Sequence, residues 1–344
     1  MKILYGIQGT GHGHISRARE IVPVLSEKSD VTLLISGYNC HLELEGYEVI
    51  KKRGISLAYD DSGGVSYLNT VAQIQPLRFF KDLESIDMDS FDLIISDYEP
   101  LSAWAARFKR KPSVALSHQA AFLSAASPRP EKKSRFAEQI LRNFAPCNHS
   151  VGFHFRRYDS FIQPPVVRRE VLGLTLADHG HVTVYLPAFD PSYLSQLFKQ
   201  FPDRNWHIFS PLCTTPFTED NVEVWPVGNR AFLKSMSESN GIITGAGFET
   251  CAEAMFLGKK LLVMPIRNQY EQYCNAAALS KIGIDVIWNP PDRLTEQIRF
   301  WIDHSEPVSL PEIADIDQIT NELLLEVKES KSFYMTNLYP SKAS

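Results

Sequence analysis

The chain has 344 residues, 44% hydrophobic and 22% charged, with a formal net charge of −5. That composition is ordinary for a globular protein, and the length predicts two domains of roughly 150–180 residues rather than one core. No run approaches the roughly 20 apolar residues that span a bilayer, and the five scattered cysteines hold no CxxC pair, which excludes a disulfide scaffold and points to reduced thiols in a cytoplasm.

Lys2–Ile7 reads as a first strand and not as a signal peptide, because its apolar character ends within a few residues at a glycine loop. The loop, Gln8-Gly-Thr-Gly-His-Gly-His-Ile-Ser-Arg17, spells GxGxG. His14 stands where a dinucleotide site would need its third glycine, so a hydride-transfer cofactor is not expected. Gly11 within this loop is assigned to the donor side. His12 and His14 fall at the ligand edge of the sheet, a poor place for a purely structural histidine. Histidine titrates near neutrality and can serve as a general base.

The spacing then predicts a helix over His14–Lys28 and a strand over Val31–Ser36. Residues 54–75, rich in Gly, Ser and Asp, read as a loop at the ligand edge. Asp87-Met-Asp89 has the DxD spacing of metal-dependent sugar transferases of another fold, but it precedes a buried strand and reads as solvated. Phe91–Ser96 is a strand, Pro100–Phe108 a helix and Ser113–Leu116 a strand. Asp97 therefore ends a strand, either capping the next helix or orienting a histidine across the loop. His118-Gln119 ends the following strand and could touch an acceptor. His12, His14, Asp97 and His118 could also serve a metal hydrolase, but the open-sheet pattern argues against that barrel. The expectation is no metal and no cofactor.

Residues 1–168 hold 21 Lys+Arg against 18 Asp+Glu and residues 169–344 hold 14 against 22, so the net charge divides into +3 and −8. The basic excess gathers in Arg107–Lys111 and Arg129–Arg142. Such runs are either solvated helix ends or a surface that meets an anionic acceptor or a membrane face; no nucleic-acid partner is expected.

Two adjacent prolines in Gln163-Pro-Pro-Val-Val-Arg-Arg169 favour an extended connector. The domain junction falls there, giving an N-terminal unit over 1–163, a C-terminal unit over 164–316, and a helix (Asp317–Lys331) with a patternless tail over 317–344. The second half repeats the alternation in His181–Leu186, Tyr193–Phe201, Trp206–Phe209, Val222–Val227, Ile242–Thr244, Leu261–Pro265 and Asp285–Trp288. Two doubly wound α/β units bind ligands at the carboxyl ends of their strands, here in a cleft between the halves.

The most telling stretch is Gly245-Ala-Gly-Phe-Glu-Thr-Cys-Ala-Glu253, followed by Gln269-Tyr-Glu-Gln-Tyr-Cys-Asn-Ala276. Gly245 and Gly247 lie at a strand-to-helix turn, where the backbone N–H groups of Gly247, Phe248 and Thr250 can approach an anion with help from the helix dipole. Glu253, one turn on, could accept hydrogen bonds from a ribose. Asn268, Gln269, Glu271 and Gln272 supply a polar cluster for a third group. Phosphate, ribose and polar cluster together suggest a nucleotide-sugar site.

These residues resemble inverting glycosyltransferases of the GT-B fold, built of two Rossmann-like domains. The pattern is similar to the UDP-glycosyltransferases and to the N-acetylglucosaminyltransferases that complete the lipid-linked peptidoglycan precursor. Gly9-Thr-Gly-His-Gly-His14 resembles their GTGGH loop with one residue inserted, Asp92–Asp97 through Leu116–Gln119 their central strand–helix–strand, and Gln163–Glu170 their linker. Gly245–Glu253 resembles their glycine-rich turn and ribose-binding glutamate, and Glu271-Gln272 falls where they place side chains on the donor hexose. Glu271 departs from the glutamine of the precursor enzymes, and Tyr185-Leu-Pro-Ala-Phe-Asp190 departs from their glycine-rich loop. The resemblance implies transfer of a hexose from a nucleotide diphosphate sugar, a UDP-sugar first, to an acceptor hydroxyl on a glycan, lipid or small molecule. It further implies inversion, a histidine base (His14, with His12 second) and no metal. A nucleotide-sugar epimerase and a catalytically silent nucleotide-sugar binder are the alternatives.

Overall fold

The computed structural model describes residues 1–9, 12–37, 46–55, 58–59, 65–66, 75–288 and 293–338. The first half carries strands β1 (Lys2–Gln8), β2 (Asp30–Ser36), β3 (Glu48–Lys52), β4 (Ala58–Tyr59), β5 (Val65–Ser66), β6 (Leu93–Asp97), β7 (Ser113–Ser117), β8 (His149–Phe153) and β9 (Ile162–Gln163). Helices α1 (His12–Ser26), α2 (Pro76–Glu84), α3 (Pro100–Lys109) and α4 (Arg135–Asn143) run between them. Seven of these strands form one sheet in the order β3-β2-β1-β6-β7-β8-β9, with β4 and β5 paired separately. Every pairing in the large sheet is parallel. Its central strands are buried on both faces, as Ile3, Leu4, Tyr5 and Ile7 show, which is why they read as unbroken apolar runs rather than alternating ones. Helix α1 covers one face through Ala18, Ile21, Val22 and Leu25, spaced along a single helical stripe.

The second half repeats this plan with α5 (Arg169–Leu172), β10 (His181–Tyr185), α6 (Pro191–Phe198), β11 (Asn205–Ser210), β12 (Phe217–Glu219), β13 (Val222–Pro226), α7 (Asn229–Glu238), β14 (Gly241–Thr244), α8 (Phe248–Phe256), β15 (Lys260–Val263), α9 (Tyr270–Lys281), β16 (Asp285–Val286) and α10 (Leu294–His304). Its sheet runs β12-β13-β11-β10-β14-β15-β16, parallel except for the β12–β13 hairpin. The last helix, α11 (Ile316–Leu338), returns to the first half. There Ile319, Leu323 and Val327 join the core of α1, and the Lys28 ammonium bonds the Asp317 carbonyl and the Thr320 hydroxyl.

Among the parallel strands of each sheet the order reverses between β1 and β6 and between β10 and β14. Ligands of doubly wound sheets gather at the carboxyl ends beside such a switch point. The first switch carries His14 and Asp97 and the second carries Gly245–Gly247, so topology alone brings the two sequence-predicted clusters to the working edges.

Several elements differ from the sequence reading. The edge strands β3 and β9, the adjoining β8 and helix α4 were not expected, because short or half-exposed segments carry little periodicity. Helix α1 starts at His12, so His14 lies in its first turn rather than at a loop tip. The predicted 54–75 loop holds β4 and β5, and the rest of it falls mostly outside the described residues. Gly11 and the side chain of His12 also lie outside them.

A buried histidine pair in the second half sets an acid limit on stability. His181, from β10, places Nε2 3.1 Å from the Ser235 carbonyl oxygen and stacks on His207 with 3.9 Å between ring centroids. Burial, and then the charge of His207, pull its pKa from 6.5 to about 4. Between those values the unfolded chain holds the extra proton, so stability falls as pH drops through the window. Thermal unfolding against pH should show Tm declining from about pH 6.5 towards 4, with the slope shallower by about one proton in His181→Gln. An unchanged slope in that variant would remove His181 from the account.

Candidate active site

The first cluster is assembled by the first turn of α1 and the end of β6. His14 Nδ1 lies 2.8 Å from Asp97 Oδ1. Arg17, one turn further along α1, places Nε 3.0 Å from Oδ2 and Nη2 2.5 Å from Oδ1 of the same carboxylate. Burial would raise the Asp97 pKa, but Arg17 and His14 outweigh it and hold the group ionised. An ionised carboxylate only accepts, so the contact places the imidazole proton on Nδ1 and leaves Nε2 with a lone pair. No described residue bonds Nε2. The 3.2 Å approach of Arg17 Nη2 to His14 Nδ1 is then proximity between two donors. Tyr98, held at φ 54°, lies parallel to the imidazole at 6.4 Å.

Helix α3 is capped by Glu99, whose carboxylate accepts from Leu101 N and Ser102 N. The capping alternative for Asp97 therefore fails, and Asp97 is the partner of His14. Asp87 and Asp89 form an exposed turn, with Asp87 accepting from Asp89 N.

The second cluster follows β14. Gly247 is the N-cap of α8 and no side chain caps that end, so the first-turn N–H groups of α8 lack intrahelical acceptors. A Cβ at Gly247 would meet nothing within 4 Å, which leaves the approach open. Helix α9 fixes the turn from behind. Gln272 Oε1 accepts from Ala246 N (3.1 Å) and Ile266 N (2.8 Å), and Asn275 Nδ2 donates to Ala246 O. Gln272 thus supports the turn, with only its Nε2 left to face a sugar. Asn268 adopts φ 62° and Gln269 keeps a buried Oε1 without a partner among the described residues. Thr250 is half-buried on α8. Glu253 is 2% exposed and accepts a fork from Arg168, Nε to Oε1 at 2.6 Å and Nη2 to Oε2 at 2.7 Å. Burial pushes its carboxyl pKa up, against the pull of Arg168.

The two carboxyl edges meet. His118 is buried, with Nδ1 2.8 Å from Phe153 O, Nε2 2.7 Å from Asn275 Oδ1, and its ring stacked on Phe248 at 3.8 Å. Both nitrogens face protein oxygens, of which a neutral imidazole can donate to one, and burial lowers its pKa, so His118 sits between the halves instead of presenting an open nitrogen to an acceptor. For the same reason it does not join His14 and Asp97 as a ligand set. Gln119 donates to Glu271 Oε2 at 3.0 Å and keeps a buried Oε1 without a partner among the described residues. It can sit there because β8 carries Gly152, where a Cβ would lie 2.6 Å from Ala121 N. Arg17 Nη1 bonds Glu249 Oε1 at 2.5 Å.

Sequence reasoning missed Arg17, Glu249, Arg168 and Asn275. The i, i+3 spacing of His14 and Arg17 on one helix face was the available signal for the first. Of the basic runs, Arg129 is not surface: it bonds Glu138 Oε1 and the Phe122 carbonyl, and Tyr270 OH reaches the same Glu138. Arg107 lies over the Trp104 ring beside the exposed Phe108.

The sequence profile described as Glycosyl transferase family 1 matches residues 1–302, and the chain belongs to that family. A search of curated proteins finds no significant match. Among solved structures the chain is similar to a UDP-glucosyltransferase from Polygonum tinctorium capable of glucosylating indoxyl, with a TM-score of 0.62 at 13% identity over 96% of this chain and 94% of that one. It is also similar to the glycosyltransferase SnogD from Streptomyces nogalater, with a TM-score of 0.57 at 16% identity over 94% and 99% of the two chains. A third is the spinosyn rhamnosyltransferase SpnG complexed with thymidine diphosphate, with a TM-score of 0.55 at 13% identity over 88% and 92%. The fold is GT-B, and the protein is a glycosyltransferase.

Proposed function

We propose that the enzyme transfers a hexose from a nucleotide diphosphate sugar, with UDP-sugars first, to an acceptor hydroxyl with inversion. In this reading residues 1–163 form the acceptor-side domain, 164–316 the donor domain, and 317–344 a closing helix and tail. The observation that carries it is the His14–Asp97 pair, with an Nε2 that no described residue engages, at the carboxyl edge that meets the end of α8. An acceptor hydroxyl is a weak nucleophile, and His14 Nε2 takes its proton as the new bond forms; His12 is the second candidate. Asp97 fixes the tautomer and stabilises the imidazolium.

The diphosphate gains charge as the glycosidic bond breaks. N–H groups of Gly247, Phe248, Glu249 and Thr250, with the helix dipole, stabilise it there. Glu253 holds the ribose: a carboxylate offers about four acceptor positions, and Arg168 takes two. Asn268, Gln269, Glu271 and Gln272 Nε2 select the hexose, and Gln119, bonded to Glu271, links that choice to the acceptor side. Titration calorimetry with UDP, dTDP and GDP tests the donor site, and saturable binding of none of them at millimolar concentration would sink it. Because α8 supplies the charge stabilisation, turnover should survive EDTA. Loss on chelation with recovery on adding manganese or zinc would transfer that role to a metal.

A further inference from the structure

The first turn of α1 is built to hold one residue of the donor helix. Glu249, the second residue of α8, accepts from Arg17 Nη1 at 2.5 Å. A Cβ at Gly13 would run into the Glu249 carboxylate, so a larger residue beside His14 would push that carboxylate out of this position. The guanidinium is 2% exposed and shared by two acids. Burial works against its charge, but Asp97 and Glu249 outweigh this and keep it protonated.

We propose that Arg17 is a positioning residue that couples the His14–Asp97 pair to docking of the donor helix through Glu249. Its guanidinium is a planar, rigid fork. Nε and Nη2 fix Asp97 while Nη1 fixes Glu249, so one rigid fork ties the carboxylate beside His14 to α8, and withdrawal of Glu249 removes one of the contacts that orient it. Asp97 in turn sets the proton on His14. The pair is therefore held in its working geometry only while the halves are docked, and separation of the halves disarms the base and limits donor hydrolysis by water. The same contact keeps a carboxylate pinned to α1 beside amides that would meet a diphosphate, where a free negative charge would oppose the anion.

This inference rests on His14 as the base, and its test reads the geometry without needing turnover. In 15N-histidine-labelled protein, the His14 Nδ1 proton bonded to Asp97 gives a downfield resonance, assigned by its absence in His14→Ala. In Glu249→Gln that proton should exchange with solvent at least about tenfold faster, the scale of one charge-assisted hydrogen bond, while the spectrum otherwise stays that of a folded protein. Gly13→Ala displaces the same carboxylate without changing any charge and should give the same result, and it carries the test if Glu249→Gln fails to fold. Arg17→Lys, which lacks the fork, should not restore slow exchange. Exchange at the parent rate in both Gly13→Ala and Glu249→Gln would overturn the coupling. The base assignment is judged separately, by turnover in His14→Ala.

Discussion

Replacing His14 with alanine should lower turnover by roughly 10²–10⁴, the usual worth of a positioned base, while leaving nucleotide affinity close to the parent value. The expectation follows from where the side chain sits. His14 belongs to α1 in the first half and touches Asp97, Arg17 and Tyr98, whereas the amides, Glu253 and the Asn268–Gln272 segment that would hold the donor all belong to the second. Asp97→Asn should act in the same direction. An amide in place of the carboxylate presents an N–H as readily as a carbonyl to Nδ1, which loosens the tautomer that leaves Nε2 basic, and it leaves the buried Arg17 without its strongest partner. The two losses should be less than additive, since the residues act as one unit. Steady-state rates with a competent acceptor and calorimetric UDP affinity check both halves of the statement. Near-normal turnover in His14→Ala would move the base to His12, and near-normal turnover in both single variants would leave the GT-B assignment intact without this mechanism.

The doubly wound halves were legible because buried parallel strands write themselves as apolar runs between glycine turns. β1, β2, β6, β10, β14 and β15 all do so, and each switch point then placed its loop. The acceptor-side pair was legible for the same reason: His14 follows one central strand and Asp97 ends its neighbour, with Ile7 and Asp97 in register. What was not legible was pairing across the halves. Arg17 and Glu249 are 232 positions apart, and His118 and Asn275 are 157. Such partners are chosen by the docking of two units, which leaves no periodic trace in either. His118 shows the cost of that blindness. Its position at the end of β7 suggested a ligand contact, and only docking reveals that Phe153 and Asn275 occupy both nitrogens. Gln272 is similar: it holds the Ala246 turn in place through Oε1, so the side chain expected to read a sugar has only its nitrogen left for one. The basic run at Arg129 misled for a related reason, since charge counted along a sequence cannot tell a surface cation from one folded inward over Phe122.

The anchoring of Arg168 by Glu253 and the proposed hold on the ribose are separable by substitution. It anchors Arg168 of the connector to the donor helix, and Arg168 in turn reaches Asn229 Oδ1 at 2.7 Å, so removing the carboxylate strands a largely buried guanidinium. Glu253→Ala should therefore cost about 3–5 kcal/mol of stability, the scale of breaking a buried ion pair on one side, and appear as a marked drop in Tm. Glu253→Gln keeps one oxygen for Arg168 and most of the packing, so it should fold with a smaller loss. If the remaining acceptor positions of the carboxylate serve the ribose hydroxyls, Glu253→Gln still weakens UDP by about 1.5–3 kcal/mol, the worth of hydrogen bonds to a charged group. Arg168→Ala supplies the complementary case, because it destabilises the connector while leaving the carboxylate in place for the ribose. Measured by unfolding and by calorimetry, the ribose role predicts that affinity follows Glu253 and not Arg168. Parent-like UDP affinity in Glu253→Gln would reduce Glu253 to the anchor that fastens the connector onto α8, and the ribose would have to be held elsewhere along that edge.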